Sequence, residues 1–394
     1  MLKRIQPILC IGALLLSGCS SSLPEIHVSK TYTSEDKLLL IDTWLKNLST
    51  QKQFNGAILI AMNGRVDLIN TYGYSDPART NPLMLESSFR LASVSKQFTA
   101  MAIMILKERG QIKFDDPVQK HLPEFPYSDV TIRHLLTHTS GISEYEKLVL
   151  KFKNKWSTRS FYITGQSWEN RVYKGEPSQY RDSHDILSMK DVLDLVVRFK
   201  DERKFPAGEK FKYSNTGYVL LAYLVEQVSG QSFESFLDQE IFEPLNMQNS
   251  SVWNLNTSPG KLPNRVQGTN NKKLNDYTWL DGVAGDGAVF VSIEDFINWD
   301  RGLANRTLVS DSTFSEAISP YVTTKGDTSY YGFGWNLSKD GKDMDHTGGW
   351  VGALTYIYIN PESGMLFVLL DSSTNRNMIK IRKTIGDVLA GKLK

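Results

Sequence analysis

The sequence predicts an α/β fold, in which an antiparallel β-sheet flanked by helices is joined to an all-helical lobe. Strand-like hairpins occur near both ends of the chain and helix patterns fill its middle. The 394 residues, 41% of them hydrophobic, are enough for a sizeable core. Strands from both ends must then pair in one sheet, and the central helices, roughly residues 90–300, form the second lobe. A cleft between two lobes is a common place for a site.

The first 18 residues have the layout of an export signal. Lys3 and Arg4 precede an apolar run that is too short to span a bilayer core of about 30 Å. The segment LSGC that follows resembles a bacterial lipobox, which implies cleavage before Cys19 and lipid attachment to that cysteine. A simple signal peptide with a chance cysteine is the alternative. We therefore expect a signal peptide at 1–18, a polar tether at 19–33 and a membrane contact through a lipid anchor.

Cysteine usage and charge limit the classes of partner. Cys10 lies in the predicted signal, so the mature domain would contain neither a thiol nor a disulfide. The net charge of +2 falls to zero when the signal is removed, because two basic residues and no acidic residue are lost. The sequence thus predicts no nucleic-acid partner.

Ser20, and not aspartate, follows Cys19. In a diderm host, the sorting habit of lipoproteins would then imply the periplasmic side of the outer membrane.

The elements at the two ends of the chain follow from local patterns. Ser34 is the expected N-cap of an amphipathic helix, and the next two apolar runs form a hairpin that turns at Asn63-Gly64. A second hairpin turns at 361–364, and a final helix covers 374–391. These elements supply the strands of the predicted sheet.

The middle of the chain is predicted to be mostly helical. Ser188 and Ser292 are expected to cap two helices, and Gly230 is expected to end a third. Residues 150–187 have no clean period and are rich in aromatic side chains, so we expect a substrate-facing loop there. Together these elements place the two-lobed domain at 34–394.

The stretch LASVSKQFTAMAIMILKERG contains a candidate nucleophile. Residues three apart share a helix face, so Ser93 faces Lys96 and Ser95 does not. The apolar helix that follows should be buried, and burial favours the neutral form of a lysine, which a general base requires. The helix N-terminus supplies N–H groups suited to an oxyanion. Taken alone the pattern is weak, and a serine N-cap beside a solvated lysine explains it better.

Two further motifs carry polar groups that could share a site with this pair. Tyr213 and Asn215 are two apart on an extended loop and therefore point to the same side, and an ammonium beside a phenol makes it a candidate base or proton shuttle. A His-Thr-Gly-Gly segment begins at His346, at the head of an apolar strand, where glycines let N–H groups approach a ligand. A turn tyrosine and a glycine-bearing strand start are the alternatives.

Ser-x-x-Lys, Tyr-x-Asn and His-Thr-Gly, in this order, resemble the motifs of the penicillin-recognising serine hydrolases. Within that superfamily the chain is most similar to the class C β-lactamase group with its D,D-peptidase and esterase relatives. Further stretches are similar to ones typical of the group: TIRHLLTHTSGI, FPAGEKFKYSNTGY, GDGAVFVSIEDFINW and YGFGWNL. The resemblance covers roughly residues 35–390 and implies a β-lactamase/transpeptidase-like fold.

The resemblance also implies roles for the motif residues. Ser93 would be the acylated nucleophile, and Lys96 and Tyr213 would manage its proton and that of the leaving group. Asn215 would orient the substrate. The backbone N–H groups of Ser93 and Gly349 would form the oxyanion hole.

The third motif departs from the lactam-hydrolysing enzymes, which usually carry lysine where this chain has His346. His346, Thr347 and Gly348 would line the strand edge beside the substrate. A lysine offers a permanent positive charge to a substrate carboxylate, whereas a histidine with an ordinary pKa of about 6.5 is mostly neutral at pH 7. This difference favours esters or peptides whose carboxylate is absent or held elsewhere.

The expected activity is therefore that of a serine hydrolase acting on a small-molecule or peptide substrate, including peptides derived from the cell wall. A D,D-peptidase or β-lactamase is the enzymatic alternative, and a non-catalytic binding protein on the same fold is the alternative of another class. His134 and His138 have the i, i+4 spacing of metal ligands, but no glutamate follows the first and no third ligand is evident. We expect neither a metal nor a cofactor.

Overall fold

The structure is a computed structural model that describes residues 23–151, 186–256, 262, 264–270, 273–374 and 377–392. The predicted signal peptide, Cys19 and most of the predicted loop at 150–187 lie outside the described residues.

The first and the last element of the described chain are helices, and strands follow the first helix and precede the last. The helices are α1 (Ser34–Thr50), α2 (Lys96–Glu108), α3 (Ile132–Leu136), α4 (Tyr145–Lys151), α5 (Met189–Arg198), α6 (Asn215–Ser229), α7 (Phe233–Leu237), α8 (Asp295–Ala304), α9 (Asp311–Ala317) and α10 (Met378–Leu389). The strands are β1 (Gly56–Met62), β2 (Arg65–Tyr72), β3 (Ser88–Arg90), β4 (Ser251–Val252), β5 (Thr269–Asn270), β6 (Lys273–Leu274), β7 (Val289–Ser292), β8 (Tyr321–Val322), β9 (Thr328–Ser329), β10 (Asn336–Leu337), β11 (Met344–Trp350), β12 (Ala353–Asn360) and β13 (Met365–Asp371).

The main sheet is antiparallel and is built from both ends of the chain. Its strand order is β10-β11-β12-β13-β1-β2, and the two halves meet where β1 pairs with β13. A smaller sheet has the order β3-β7-β4. This arrangement confirms the predicted α/β class and the pairing of N-terminal with C-terminal strands.

Both predicted hairpins are present in the main sheet. At the first turn Asn63 has φ +52° and Gly64 has φ +73°, which are the two positive values that a two-residue turn between twisted strands requires. The second hairpin joins β12 and β13. Gly364 in its turn has φ +61°, and a Cβ there would stand 2.4 Å from the Asn63 side-chain oxygen, so the two turns pack together.

Helices cover both faces of this sheet. Ile58 and Ile60 of β1 pack with α1 and α10, whereas Ala57 and Leu59 face the main core on the other side, as the two-residue period of a strand requires. The prediction that Ser34 caps α1 is wrong. Thr33 is the N-cap, and its hydroxyl accepts the Asp36 N–H at 3.1 Å, so the helix is capped one residue earlier.

The helical lobe packs on α2, which is buried from Lys96 to Leu106 and contacts α6 and α7. Ser188 caps α5 and Gly230 ends α6 with φ +72°, as predicted. The helix expected after Ser292 begins at Asp295 instead. Ser292 still contributes, because its hydroxyl accepts the Asp295 N–H at 3.2 Å. Among the described residues, every helix is too short or too polar to cross a membrane.

Candidate active site

Ser93 lies in a 3₁₀ turn that leads directly into α2. The preceding residue, Ala92, has φ +49°, a strained conformation for a residue with a side chain that the surrounding structure must hold in place. Ser93 is partly exposed, while Ser95 is fully buried and its hydroxyl accepts the Val289 N–H at 3.2 Å. The structure thus separates the two serines as their spacing predicts, one facing the site and one bonded into the core.

Lys96 is fully buried, and its ammonium group lies among three oxygen acceptors. Nζ is 3.3 Å from Ser93 Oγ, 2.9 Å from Asn215 Oδ1 and 2.9 Å from the backbone oxygen of Asp286. It also lies 4.9 Å from the centre of the Tyr213 ring. The first two motifs therefore meet at one nitrogen atom.

Tyr213 is held in place by the stacking of its ring, and its hydroxyl has no hydrogen-bond partner among the residues that the structure describes. The ring stacks on His138 with 4.2 Å between centroids. In the described part of the chain, the buried Tyr213 hydroxyl has no hydrogen-bond partner. A buried polar group without a partner lowers the stability of the fold. A functional role in the site therefore explains this hydroxyl better than packing does.

His346 is buried, and its hydrogen bonds fix one tautomer. Nδ1 lies 2.7 Å from the Thr347 carbonyl oxygen, which only accepts, so Nδ1 carries the proton. Nε2 then accepts from the Tyr331 hydroxyl at 2.9 Å. Burial, reinforced by the Lys96 charge, lowers the pKa of His346 to about 3. The imidazole is thus neutral at physiological pH and does not supply the positive charge of a lysine.

The edge of β11 is open beside Ser93. Strand β10 pairs only with Met344 and Asp345, so in the described structure the outer edge from His346 onward has no partner strand. Thr347 is exposed along this edge, whereas Gly348 is buried. A Cβ on Gly348 would stand 2.2 Å from Leu91 O, so this glycine allows the strand to approach the turn that carries Ser93.

Gly349 follows on the same strand, and it is exposed. Its register partner is Leu354 of β12, and a Cβ on Gly349 would come no closer than 3.6 Å to that side chain. The turn that holds Ser93 packs against β11. The two residues whose N–H groups are predicted to form an oxyanion hole therefore lie on adjacent elements.

Three acidic residues that the motifs did not identify lie around the Lys96–Asn215 contact, Glu144 and Glu146 through their carboxyl groups and Asp286 through its backbone oxygen. Glu144 accepts the Asn215 backbone N–H and Glu146 accepts its side-chain amide, each at 2.9 Å. Burial raises the pKa of Glu144 and of Asp286 to about 7, and it also raises the pKa of Glu146. Glu144 and Glu146 follow the stretch HTSGI, and Asp286 lies within GDGAVF. Their position in or beside these two stretches was the sequence signal that could have identified them.

The two histidines with metal-ligand spacing have different partners. His134 lies in α3, where Nδ1 accepts the Thr131 N–H at 3.1 Å and Nε2 is 3.2 Å from the Tyr321 hydroxyl. His138 lies beyond the end of α3 with φ +58°, and its Nδ1 accepts the Ser214 N–H at 3.0 Å. The chain leaves the helix before His138, so the i, i+4 geometry that a shared ligand requires is not formed.

Comparisons with known proteins agree with this fold. The β-lactamase family model matches residues 41–391. Penicillin-binding protein 4* of Bacillus subtilis is 32% identical over 352 residues, which are 85% of this chain and 72% of that protein. The solved penicillin-binding protein from Bacillus halodurans is 26% identical with a TM-score of 0.67, covering 88% of this chain and 97% of that one.

A more distant structure has the same fold. The D-amino acid amidase from Ochrobactrum anthropi has a TM-score of 0.68 at 18% identity, over 91% of this chain and 98% of that one. The predicted β-lactamase/transpeptidase-like fold is thus confirmed, and family and relatives together indicate a serine hydrolase. The match over almost the whole described chain shows that this protein belongs to the β-lactamase family.

Proposed function

We propose that the protein is a serine hydrolase that forms a covalent acyl-enzyme on Ser93 and hydrolyses an ester or amide, including peptides. The observation that carries the proposal is the position of Lys96 Nζ, buried and within hydrogen-bonding reach of Ser93 Oγ. Asn215 and Tyr213 converge on the same nitrogen. A non-catalytic binding protein would not need this arrangement.

The contacts of Lys96 suit a group that gains and loses a proton. As an ammonium ion it has three protons for three acceptors, Ser93 Oγ, Asn215 Oδ1 and Asp286 O. As a neutral amine it keeps two donors for Asn215 and Asp286, and its lone pair then faces Ser93 Oγ. Both protonation states are satisfied without moving the side chain, which is what a general base and acid requires.

The proposed reaction has two stages. Ser93 Oγ attacks the substrate carbonyl carbon while its proton passes to Lys96, and the backbone N–H groups of Ser93 and Gly349 stabilise the oxyanion. The proton then passes to the leaving alcohol or amine, with the Tyr213 hydroxyl as the shuttle, as the carbonyl–leaving-group bond breaks. In the second stage water attacks the acyl carbon and gives a proton to the same pair. The acyl–Oγ bond then breaks, and that proton returns to Ser93 Oγ as the acid is released.

Charge at the open strand edge bears on the substrate class. His346 is neutral, so it supplies no positive charge at the position where the lactam-hydrolysing enzymes usually carry a lysine. Thr347 is the exposed polar side chain of this edge beside its glycines. These features favour a substrate without a carboxylate at that position, namely an ester, or a peptide bond inside a longer chain.

The test is covalent labelling with a fluorophosphonate, followed by intact mass spectrometry. Wild type should gain one adduct, Ser93→Ala should gain none, and Ser95→Ala, the matched control two residues away, should still be labelled. Equal hydrolysis of p-nitrophenyl butyrate by wild type and Ser93→Ala would overturn the proposal.

A D,D-peptidase or β-lactamase is the second candidate, and the 32% identity to a protein named for penicillin binding favours it. Rates on p-nitrophenyl butyrate, a D-alanyl-D-alanine peptide and nitrocefin distinguish the two. If nitrocefin is hydrolysed faster than the ester, the protein should be assigned as a β-lactamase and not as an esterase or peptidase.

We also propose that the protein is exported and anchored through a lipid on Cys19. The lipobox-like LSGC segment supports this, with a tether to residue 33. Metabolic labelling with an alkyne fatty acid should mark wild type and not Cys19→Ala, which should leave the membrane fraction. Labelling of both proteins alike would contradict the anchor.

A further inference from the structure

The side-chain amide of Asn215 is bound on both sides by neighbouring side chains. Oδ1 accepts from Lys96 Nζ at 2.9 Å, and Nδ2 donates to Glu146 Oε1 at 2.9 Å. In both of its protonation states Lys96 can donate to Oδ1, and the Glu146 oxygen in this contact accepts from Nδ2. The two contacts together therefore hold Oδ1 towards Lys96.

One short segment holds both the backbone and the side chain of Asn215. Glu144 Oε2 accepts the Asn215 N–H at the first residue of α6, and Glu146, two residues later, accepts the side-chain amide. Tyr145 between them is buried, and its hydroxyl donates to Asp286 at 3.2 Å. The start of α4 is thereby fastened to the same loop whose carbonyl oxygen accepts from Lys96.

We propose that Glu146 is a positioning residue, which through Nδ2 of Asn215 keeps Oδ1 directed at Lys96 and so holds Nζ against Ser93 Oγ. The inference rests on the proposed function, since it concerns the rate at which Ser93 is acylated. Glu146 itself touches neither Ser93 nor Lys96 in the described hydrogen-bond network.

Loss of the Glu146 acceptor has a definite consequence. The Asn215 amide then keeps only its contact with Lys96, so its side chain is less firmly held and Oδ1 can move away from Nζ. Lys96 would lose one of its three acceptors and turn away from the serine. A glutamine at 146 would keep a carbonyl acceptor for Nδ2, so it should preserve the orientation without the charge.

A double-mutant cycle on the full chain tests this inference, with the second-order rate of fluorophosphonate labelling as the readout. Glu146→Met should slow labelling about tenfold to a hundredfold, as misplacement of a catalytic group does, and Glu146→Gln should stay within about threefold of wild type. In an Asn215→Ala background Glu146→Met should have no further effect. An equal loss in both backgrounds would overturn the inference.

Glu226→Met on α6 is the control for the loss of a half-buried glutamate. The Glu226 carboxylate lies away from the site and accepts the Phe233 N–H at 2.9 Å. It should be labelled at the wild-type rate. With p-nitrophenyl butyrate, Glu146→Met should lower kcat and leave KM unchanged, and a change confined to KM would contradict a positioning role.

A second pair of variants covers the case in which Glu146→Met does not fold. Asn215→Asp places two carboxylates against each other and should slow labelling, and Glu146→Gln added to it should restore at least tenfold by reversing the hydrogen bond. A double variant no faster than Asn215→Asp would refute the proposal. If wild type is not labelled at all, the proposed function fails; if wild type is labelled and Glu146→Met matches it, only this inference fails.

Discussion

Gly348 and Leu91 stand so close that a Cβ on the glycine would lie 2.2 Å from the carbonyl oxygen of Leu91. The same oxygen accepts the Thr355 hydroxyl at 2.7 Å. Leu91 immediately precedes the strained residue Ala92 and then Ser93. The position of the candidate nucleophile is therefore set by direct contact with strands that lie more than 250 residues further along the chain.

Gly348→Ala should lower both the stability of the fold and the reactivity of Ser93. The added methyl group meets backbone and the Thr355 hydroxyl, neither of which can move freely, so the free energy of unfolding should fall by about 1–3 kcal/mol. Gly349→Ala is the matched control for stability, because a Cβ there meets only a Leu354 methyl at 3.6 Å. Denaturant unfolding measures both. Equal stability of the two variants would show that the close approach is absent.

Ser95→Ala should lose stability and keep its reactive serine. The change leaves the Val289 N–H without its acceptor in a buried place, which costs about 1–3 kcal/mol. The fluorophosphonate should still label Ser93. A Ser95→Ala protein that is stable but unreactive would reverse the assignment of the two serines.

Tyr213→Phe should lose activity at no cost in stability. The hydroxyl has no partner in the described structure, so its removal leaves no broken hydrogen bond, while the ring keeps its stacking on His138. Loss of a proton shuttle should lower kcat by about 10²–10⁴. Steady-state kinetics and thermal unfolding report the two effects separately. A large fall in Tm with unchanged kcat would indicate a structural tyrosine.

His346 should remain neutral, with its proton on Nδ1, across pH 5–8. Burial and the nearby Lys96 charge lower its pKa to about 3, and the Thr347 carbonyl fixes the tautomer. Two-dimensional ¹⁵N NMR of the imidazole reports both properties directly. A titration midpoint between pH 6 and 7 would show that the ring is solvated and able to bind a carboxylate as a cation.

The stability of the fold should fall as pH rises from about 4.5 to 7. Burial raises the pKa of Glu144 to about 7, so in this window the folded state holds a proton that the unfolded state has lost. The contribution is of the order of 1–3 kcal/mol. Glu144→Gln should flatten the pH dependence of the unfolding free energy. An unchanged slope in the variant would show that Glu144 is ionised in the fold.

Local patterns were sufficient for the elements that depend on near neighbours. Asn63-Gly64 predicts its turn because two positive φ values suit few other pairs, and Ser93 pairs with Lys96 because a helical turn repeats after three to four residues. The Thr33 cap was missed because Thr33 and Ser34 are both good caps, and only the hydrogen bond to Asp36 distinguishes them.

The sequence by itself determined the fold class, the two hairpins, the buried helix α2 and the placement of Ser93, and not Ser95, beside Lys96. Tertiary structure decided what surrounds them. Glu144, Glu146 and Asp286 reach Lys96 and Asn215 only because α4 and the loop before β7 converge on α6, and no sequence period records a contact between such distant segments. The neutrality of His346 was likewise decided by burial, since a charge is suppressed by the groups packed around it and not by its neighbours in the chain.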